Sequence, residues 1–268
     1  MNKKLLIVTI AVIGFSITGI LLAQAKVSQP VSPSTKTLPK GFSCGQSITD
    51  RDGYSYPTVQ IGSQCWMAAS LKTKSKPNGG CINQWTSPNH YASCQDATPN
   101  DANKGRSCYN NIEKNCQSDG ALYTWDAAMN GSTKEGSQGI CPTGWHVPTY
   151  IEQYSLIYFY AKPQSAANCI WINPENPYGR FDCAPAGTAL KVDGSGFNFR
   201  LAGERDMNGN TFSGKGSFGS FWSSLEDPAA RYAAPSLMLD AHPETFRVVR
   251  EKANSLSLRC IKDAVAKR

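Results

Sequence analysis

Ten cysteines, at positions 44, 65, 81, 94, 108, 116, 141, 169, 183 and 260, include no Cys-x-x-Cys spacing, which argues against a zinc ribbon or a thioredoxin-type redox centre. Gly-x-Ser-x-Gly and His-Glu-x-x-His are both missing, and the three histidines, His90, His146 and His242, are scattered. The serine-hydrolase elbow and the zinc-protease helix are thereby excluded. Acidic residues are absent from residues 1–40, which hold Lys3, Lys4, Lys26, Lys36 and Lys40. These account for five of the seven net positive charges and leave +2 for everything after them. So balanced a body lacks the basic footprint of a nucleic-acid binder. No internal repeat of solenoid length is present, and no cysteine closely follows the N-terminal apolar run to support a lipoprotein anchor.

The chain does contain the marks of export. Lys3 and Lys4 precede an uncharged, mostly apolar run from Leu5 to Ala23, and Ala23-Gln24-Ala25 has the small-x-small form of a signal-peptidase site. Nineteen residues is long for a signal and nearly enough to span a bilayer, so residues 1–25 read either as a cleaved signal peptide or as a retained membrane anchor. An even number of cysteines agrees with an oxidising, extracytoplasmic compartment, secreted or at the cell surface. Residues 26–43 form a Pro/Ser/Thr linker and 264–268 a tail. One domain from 44 to 263 is expected, with polar, cysteine-bearing insertions at 72–106 and 162–187 read as long stapled loops.

Local signals place the elements. Val59 and Ile61 alternate with Thr58 and Gln60 in the period of a strand. Thr124 caps a short helix that Asn130-Gly131 stops. Thr149 and Glu152 have the spacing of a capping box, and the helix from Tyr150 to about Ala161 should bury Ile151, Tyr154, Ile157, Tyr158 and Ala161 on one stripe. Cys169 to Cys183 reads as a polar loop. A closing hairpin is expected to pair Phe246–Glu251 with Ser255–Lys262 across Lys252-Ala253-Asn254.

Taken together, Asp50 to Tyr56, Val59 to Ala68, Cys108 to Asn110, Gly120 to Asn130, Cys141 to Thr149, Phe221 to Glu226 and Leu258 to Asp263 make up an ordered set of seven motifs. The set resembles the Fibrobacter succinogenes major paralogous domain over roughly residues 48–263. That family occurs on exported bacterial proteins and has no settled activity. Its Gly-Trp-His-x-Pro-Thr segment, here Gly144 to Thr149, more distantly resembles the formylglycine-generating, sulfatase-modifying domains. This second resemblance implies an α+β, C-type-lectin-like domain with two helices, small twisted antiparallel sheets and long disulfide-stapled loops that carry the function. It also implies a disulfide between Cys141 and Cys260. A reactive thiol pair of the sulfatase-modifying kind is not expected, because only Cys260 lies near the C-terminus.

Ten cysteines admit far more pairings than sequence can choose among. Neighbours in sequence suggest Cys108–Cys116, Cys169–Cys183, Cys81–Cys94 and Cys44–Cys65. Gly209 to Lys215 matches the start of a phosphate-binding loop, but Gly216 stands where a metal-holding Ser or Thr belongs, so a glycine-rich hairpin is expected. Asp50-x-Asp52-Gly53 and Asp206-x-Asn208-Gly209 begin like calcium loops. Neither has a Glu at the twelfth position, so Asx turns are expected, with Asp206 and Asn208 the residues to watch for calcium and no other cofactor foreseen. His146 reads as a structural histidine bonded to a backbone carbonyl. Trp66, Trp125, Trp145 and Trp222 fall in the motifs and are expected in the core.

The ligand-binding candidates are the insertion aromatics Trp85, Tyr91, Trp171 and Tyr178, as platforms for a sugar ring or an apolar patch, and the late-loop acids Glu226 and Asp227. With no catalytic constellation, the expected function is an exported recognition or adhesion module for extracellular carbohydrate or protein. It touches a membrane only through an uncleaved N-terminal segment, and nucleic acid is not a partner. The alternatives are an enzyme using Asp206, Glu226 or Asp227 on the same scaffold, which convergence of acids in one cleft would favour, and a structural envelope protein.

Overall fold

Two sheets carry most of the architecture of this α+β chain. In the larger, the order is Thr245–Glu251, Ala233–Asp240, Phe218–Trp222, Ala202–Arg205, Ser255–Leu256, Leu122–Thr124, Gly105–Ser107 and Asn83–Gln84, with Phe212–Lys215 also bonded to Ala202–Arg205. In the smaller, Thr58–Ile61, Gln64–Met67, Ile261–Lys262 and Trp145–His146 are antiparallel neighbours. The computed structural model describes residues 42–84, 105–161, 169–171, 181–191, 195–209, 211–227 and 230–264. All of these lie in the second of two units, Lys36–Arg268. Among the described residues no helix is long and apolar enough to cross a membrane.

Among the described residues there are four α-helices where two were expected: α1 (Glu113–Asp119), α2 (Trp125–Ala128), α3 (Tyr150–Ala161) and α4 (Ala186–Lys191). The two foreseen helices carry side-chain caps. Thr124 accepts from the amide of Ala127, and at α3 the box closes both ways, Glu152 N to Thr149 Oγ1 at 3.1 Å and Thr149 N to the Glu152 carboxylate at 2.8 Å. The other two lack that signal. The α1 N-cap position, Ile112, has no side-chain cap bond, and that helix is anchored by the Cys108–Cys116 disulfide instead. In α4 the Thr188 amide donates to the carbonyl of Pro243, a contact between segments far apart in sequence. The polar loop expected from Cys169 to Cys183 is likewise corrected at its ends, since Cys169–Trp171 and Phe181–Cys183 are paired strands.

The phase of α3 differs from the expected stripe. Its buried residues are Tyr150, Gln153, Leu156, Ile157 and Ala161, while Ile151 is 58% and Tyr158 40% exposed. The sequence of this helix is apolar or aromatic on nearly every side, so no single stripe dominates. What selects the phase is the amide of Gln153, which donates to the carbonyls of Phe221 and Trp222 and draws that side of the helix onto the sheet.

The expected closing hairpin is not formed. Thr245–Glu251 pairs over seven positions with Ala233–Asp240, and Ser255–Leu256 crosses to Leu122–Thr124 and Ala202–Arg205. Alternation marks a strand but does not name its neighbour, and Ala233–Asp240 offers a longer ladder with Leu237 and Leu239 fully buried.

Two cores result. One gathers Tyr123, Trp125, Trp145 and Trp222 around the Cys141–Cys260 disulfide, and the other gathers Trp66, Leu156, Ile157, Phe197, Phe199, Phe221 and Leu237. All four motif tryptophans are buried. The Trp125 indole N–H donates to the Ser223 carbonyl, that of Trp222 to the Tyr123 carbonyl, and that of Trp66 to the Gln64 side chain. Three of the suggested disulfides are formed, Cys44–Cys65, Cys108–Cys116 and Cys141–Cys260. Cys81 is also disulfide-bonded, while its suggested partner Cys94 lies outside the described residues. The register of the short pair sets Cys169 opposite Cys183.

Candidate functional site

Two carboxylates converge on one imidazole at the end of the smaller sheet. His146, in the strand that precedes α3, has Nδ1 2.7 Å from Asp263 and Nε2 3.0 Å from both oxygens of Glu152. Burial disfavours the charged ring, but the hydrogen bonds to Asp263 and Glu152 outweigh it and raise the imidazole to about 9. The ring is therefore an imidazolium at neutral pH, with both N–H groups donated to carboxylates. It has no lone pair to accept a proton, so it serves as a clamp and not as a general base. Glu152 gains from the same contact: burial acts against its carboxylate, yet His146 and the Thr149 amide hold its pKa below the usual value. The expected backbone carbonyl partner is replaced by these two acids, because the capping-box Glu and the chain end meet only in the fold.

The acids nearer the start of the domain are also spoken for. Asp50 accepts from the amides of Asp52 and Tyr54, each at 2.9 Å, and from the Tyr56 hydroxyl at 2.6 Å. Asp52 accepts from the Thr73 and Ser75 hydroxyls and from the amides of Lys74 and Ser75. Burial raises the Asp50 pKa despite its donors, whereas for Asp52 the donors prevail over burial and lower it. An Asx turn thus pins the loop from Thr73 to Ser75 to the turn at residues 50–54. Beside it opens a hollow of about 510 Å³ that includes Phe42, Ile48, Asp50, Thr143 and Trp145 in its lining.

Among the late residues, Glu226 is paired with the ammonium of Lys252, and Asp227 accepts from the Ala230 amide at 2.9 Å, capping a turn. Asp206 accepts from the Thr211 amide at 3.2 Å in the turn that contains Asn208. Each of the three acids thus has a partner within the fold, Asp206 and Asp227 in their own turns and Glu226 across to Lys252. Lys215, the last residue of the phosphate-loop-like stretch, is held by Asn115 and Asp119. Trp85, Tyr91 and Tyr178 lie outside the described residues, and Trp171 is placed by its backbone alone, in the strand Cys169–Trp171.

What the sequence reading passed over is the outer face of α3. Tyr154 and Tyr158, one turn apart, stack with ring centroids 6.0 Å apart and planes at 26°. With Phe159, 47% exposed, and Ile61, Gly62, Ser63 and Ser155 they line a shallow hollow of about 380 Å³. Gly62 approaches the Phe159 ring so closely that a Cβ there would lie 3.1 Å from it. The available signal was a surplus: Tyr154, Tyr158, Phe159 and Tyr160 are more aromatics than one helix face can bury.

No curated protein and no solved structure matches the chain. The profile of the Fibrobacter succinogenes major domain matches residues 59–262, which takes in the two sheets from Thr58–Ile61 to Ile261–Lys262 almost whole. By that match over most of its length, the chain belongs to the Fibrobacter succinogenes major domain family.

Proposed function

We propose that this protein is an exported, non-catalytic recognition module on a C-type-lectin-like scaffold, placed outside the cytoplasm and binding carbohydrate. The observation that carries the reading is a contrast. The His146, Glu152, Asp263, Asp50, Asp52, Glu226 and Asp227 side chains are engaged in holding the fold, while the outer face of α3 presents stacked aromatic rings to solvent. Pyranose rings stack their C–H faces on aromatic planes, and the Ser63 and Ser155 hydroxyls and the two tyrosine O–H groups at the rim suit sugar hydroxyls. Trp85, Tyr91, Trp171 and Tyr178 stay candidate contacts for such a ligand on their residue type and their place in the insertions alone. Export is supported by the disulfides and by the residue pattern of the first 25 positions.

The test is a glycan array probed with the oxidised chain and with Tyr154→Ala and Tyr158→Ala. Binding to a neutral glycan that falls at least tenfold in both variants is the expected outcome. An array at background for the parent chain would overturn the reading. A second reading, a protein ligand, draws on the exposed Ile151 and Phe159 flanking the rings, because contiguous exposed apolar side chains mark protein contacts. Loss of a cross-linked protein partner on Ile151→Ser, with the array silent, would favour it.

A further inference from the structure

Arg259 is fully buried, and every acceptor of its N–H groups among the described residues is neutral: the Ser70 hydroxyl and the carbonyls of Met67, Phe197 and Asn198. Its guanidinium lies against the rings of Phe197 and Phe199, at 4.6 and 5.4 Å. None of the ion pairs among the described residues brings it a carboxylate. Burial lowers its pKa to about 9, and the neighbouring Arg200 acts in the same direction. A buried cation without a counter-charge carries an uncompensated field, which an incoming anion relieves.

Arg259 adjoins a cavity. Arg259 lines a hollow of about 180 Å³ together with Lys72 and the exposed Arg200. A larger hollow of about 510 Å³ shares Asp119, Asn198 and Arg200 with it, and adds Leu201 and Lys215. The acid in this lining, Asp119, is paired with Lys215, and Arg200 forms no ion pair with a described residue. Lys72 sits over the Tyr54 ring at 5.0 Å, and among the described residues it forms no ion pair. Lys191, at the far edge, is turned to the carbonyls of Asp240 and His242 and contributes little. The neutral part of the lining, including Ser70, Gln117, Ser118 and Asn198, offers donors and acceptors of the kind sugar hydroxyls use.

We propose that this pair of hollows is an anion-binding cleft that takes an acidic glycan, holding the carboxylate of a uronic-acid unit between Lys72 and Arg200 above Arg259. The choice of a glycan rests on the carbohydrate reading above; the anion preference rests on the cleft itself.

Isothermal titration of the full oxidised chain with trigalacturonic acid, its methyl ester and inorganic sulfate tests the proposal. The acid should bind, weaken with added salt, and lose at least tenfold in affinity on Arg200→Ala and several-fold on Lys72→Ala. Lys134→Ala, which removes an equal charge from an exposed position away from this lining, should leave it unchanged. Arg200 is exposed, so its replacement should leave the thermal midpoint in place, and that midpoint is measured alongside. No binding of the acid, equal binding of the ester, or equal losses in Arg200→Ala and Lys134→Ala would overturn the proposal. Sulfate displacing the acid at equal concentration would also overturn it, by showing a bare anion pocket. Tyr154→Ala and Tyr158→Ala should keep the acid bound while losing neutral glycans, so failure of the α3 reading and failure of this one give different results.

Discussion

The Nε2 atom of His146 lies 3.0 Å from both carboxylate oxygens of Glu152, the same residue whose carboxylate closes the capping box on Thr149. One side chain thereby caps the start of α3, and through the imidazolium it holds Asp263, next to the last strand. The charge on His146 is therefore part of the fold's stability. Its folded pKa of about 9 lies above the ordinary 6.5, so the contribution is complete below pH 6.5 and is lost as pH rises through about 9. Glu152, lowered from 4.5, contributes above that value and loses its share as pH falls through its folded pKa. In urea unfolding the His146 share of stability, read as the difference between the parent chain and His146→Gln, should be level below about pH 6.5 and decline by up to about 3 kcal/mol by pH 10. Solvent at the half-exposed Asp263 reduces that figure. A pH-independent difference between the two chains across about pH 6.5–10 would refute the clamp.

The Cys141–Cys260 bridge spans 119 residues and joins the segment ahead of α3 to the last strand inside the tryptophan-rich core. Cys141→Ser and Cys260→Ser should each cost about 2–5 kcal/mol, measured by denaturant midpoint. The double variant should be no worse than either single one, since both break the same bond. Additive losses would mean that the two sulfurs act separately.

The phase of α3 separates two neighbouring kinds of substitution. Leu156→Ala, at a fully buried position, should cost about 2–5 kcal/mol, and Tyr158→Ala, on the outer face, less than about 1 kcal/mol. The reverse order would restore the stripe expected from the sequence.

At Gly139 the backbone has φ +56°, and an added Cβ would meet the Ala128 carbonyl oxygen at 2.1 Å and the Val147 side chain at 2.7 Å. Gly131 has φ +78° with nothing within 4 Å. Gly131→Ala should cost about 1 kcal/mol, from the left-handed conformation alone, and Gly139→Ala about 3 kcal/mol or more, because backbone has to move as well. Thermal unfolding of the two variants side by side checks the difference.

Short-range physics carried much of this structure in plain view. The Thr149–Glu152 box, the Thr124 cap, the Asn130-Gly131 stop and the Asx turn at Asp50 each depend on atoms within a few residues of one another, and each formed where its residues stand. The four motif tryptophans were legible as core for a similar reason, since a large apolar ring next to other apolar residues has few places to go. The helix α1 escaped notice because its anchor is a disulfide and not a cap.

The amino-acid sequence by itself determined the family, the α+β class, the two capped helices and the oxidised character of the chain. Only the tertiary structure decided that Thr245–Glu251 lies beside Ala233–Asp240, that α3 buries Gln153 and Leu156 and leaves Tyr158 exposed, that His146 is gripped by two acids, and that Arg259 is buried among neutral oxygens. Those four outcomes rest on groups from 6 to 192 residues apart. The longer-range partners are selected by the sum of pairing, burial and solvation over the whole domain, and no local pattern encodes that sum.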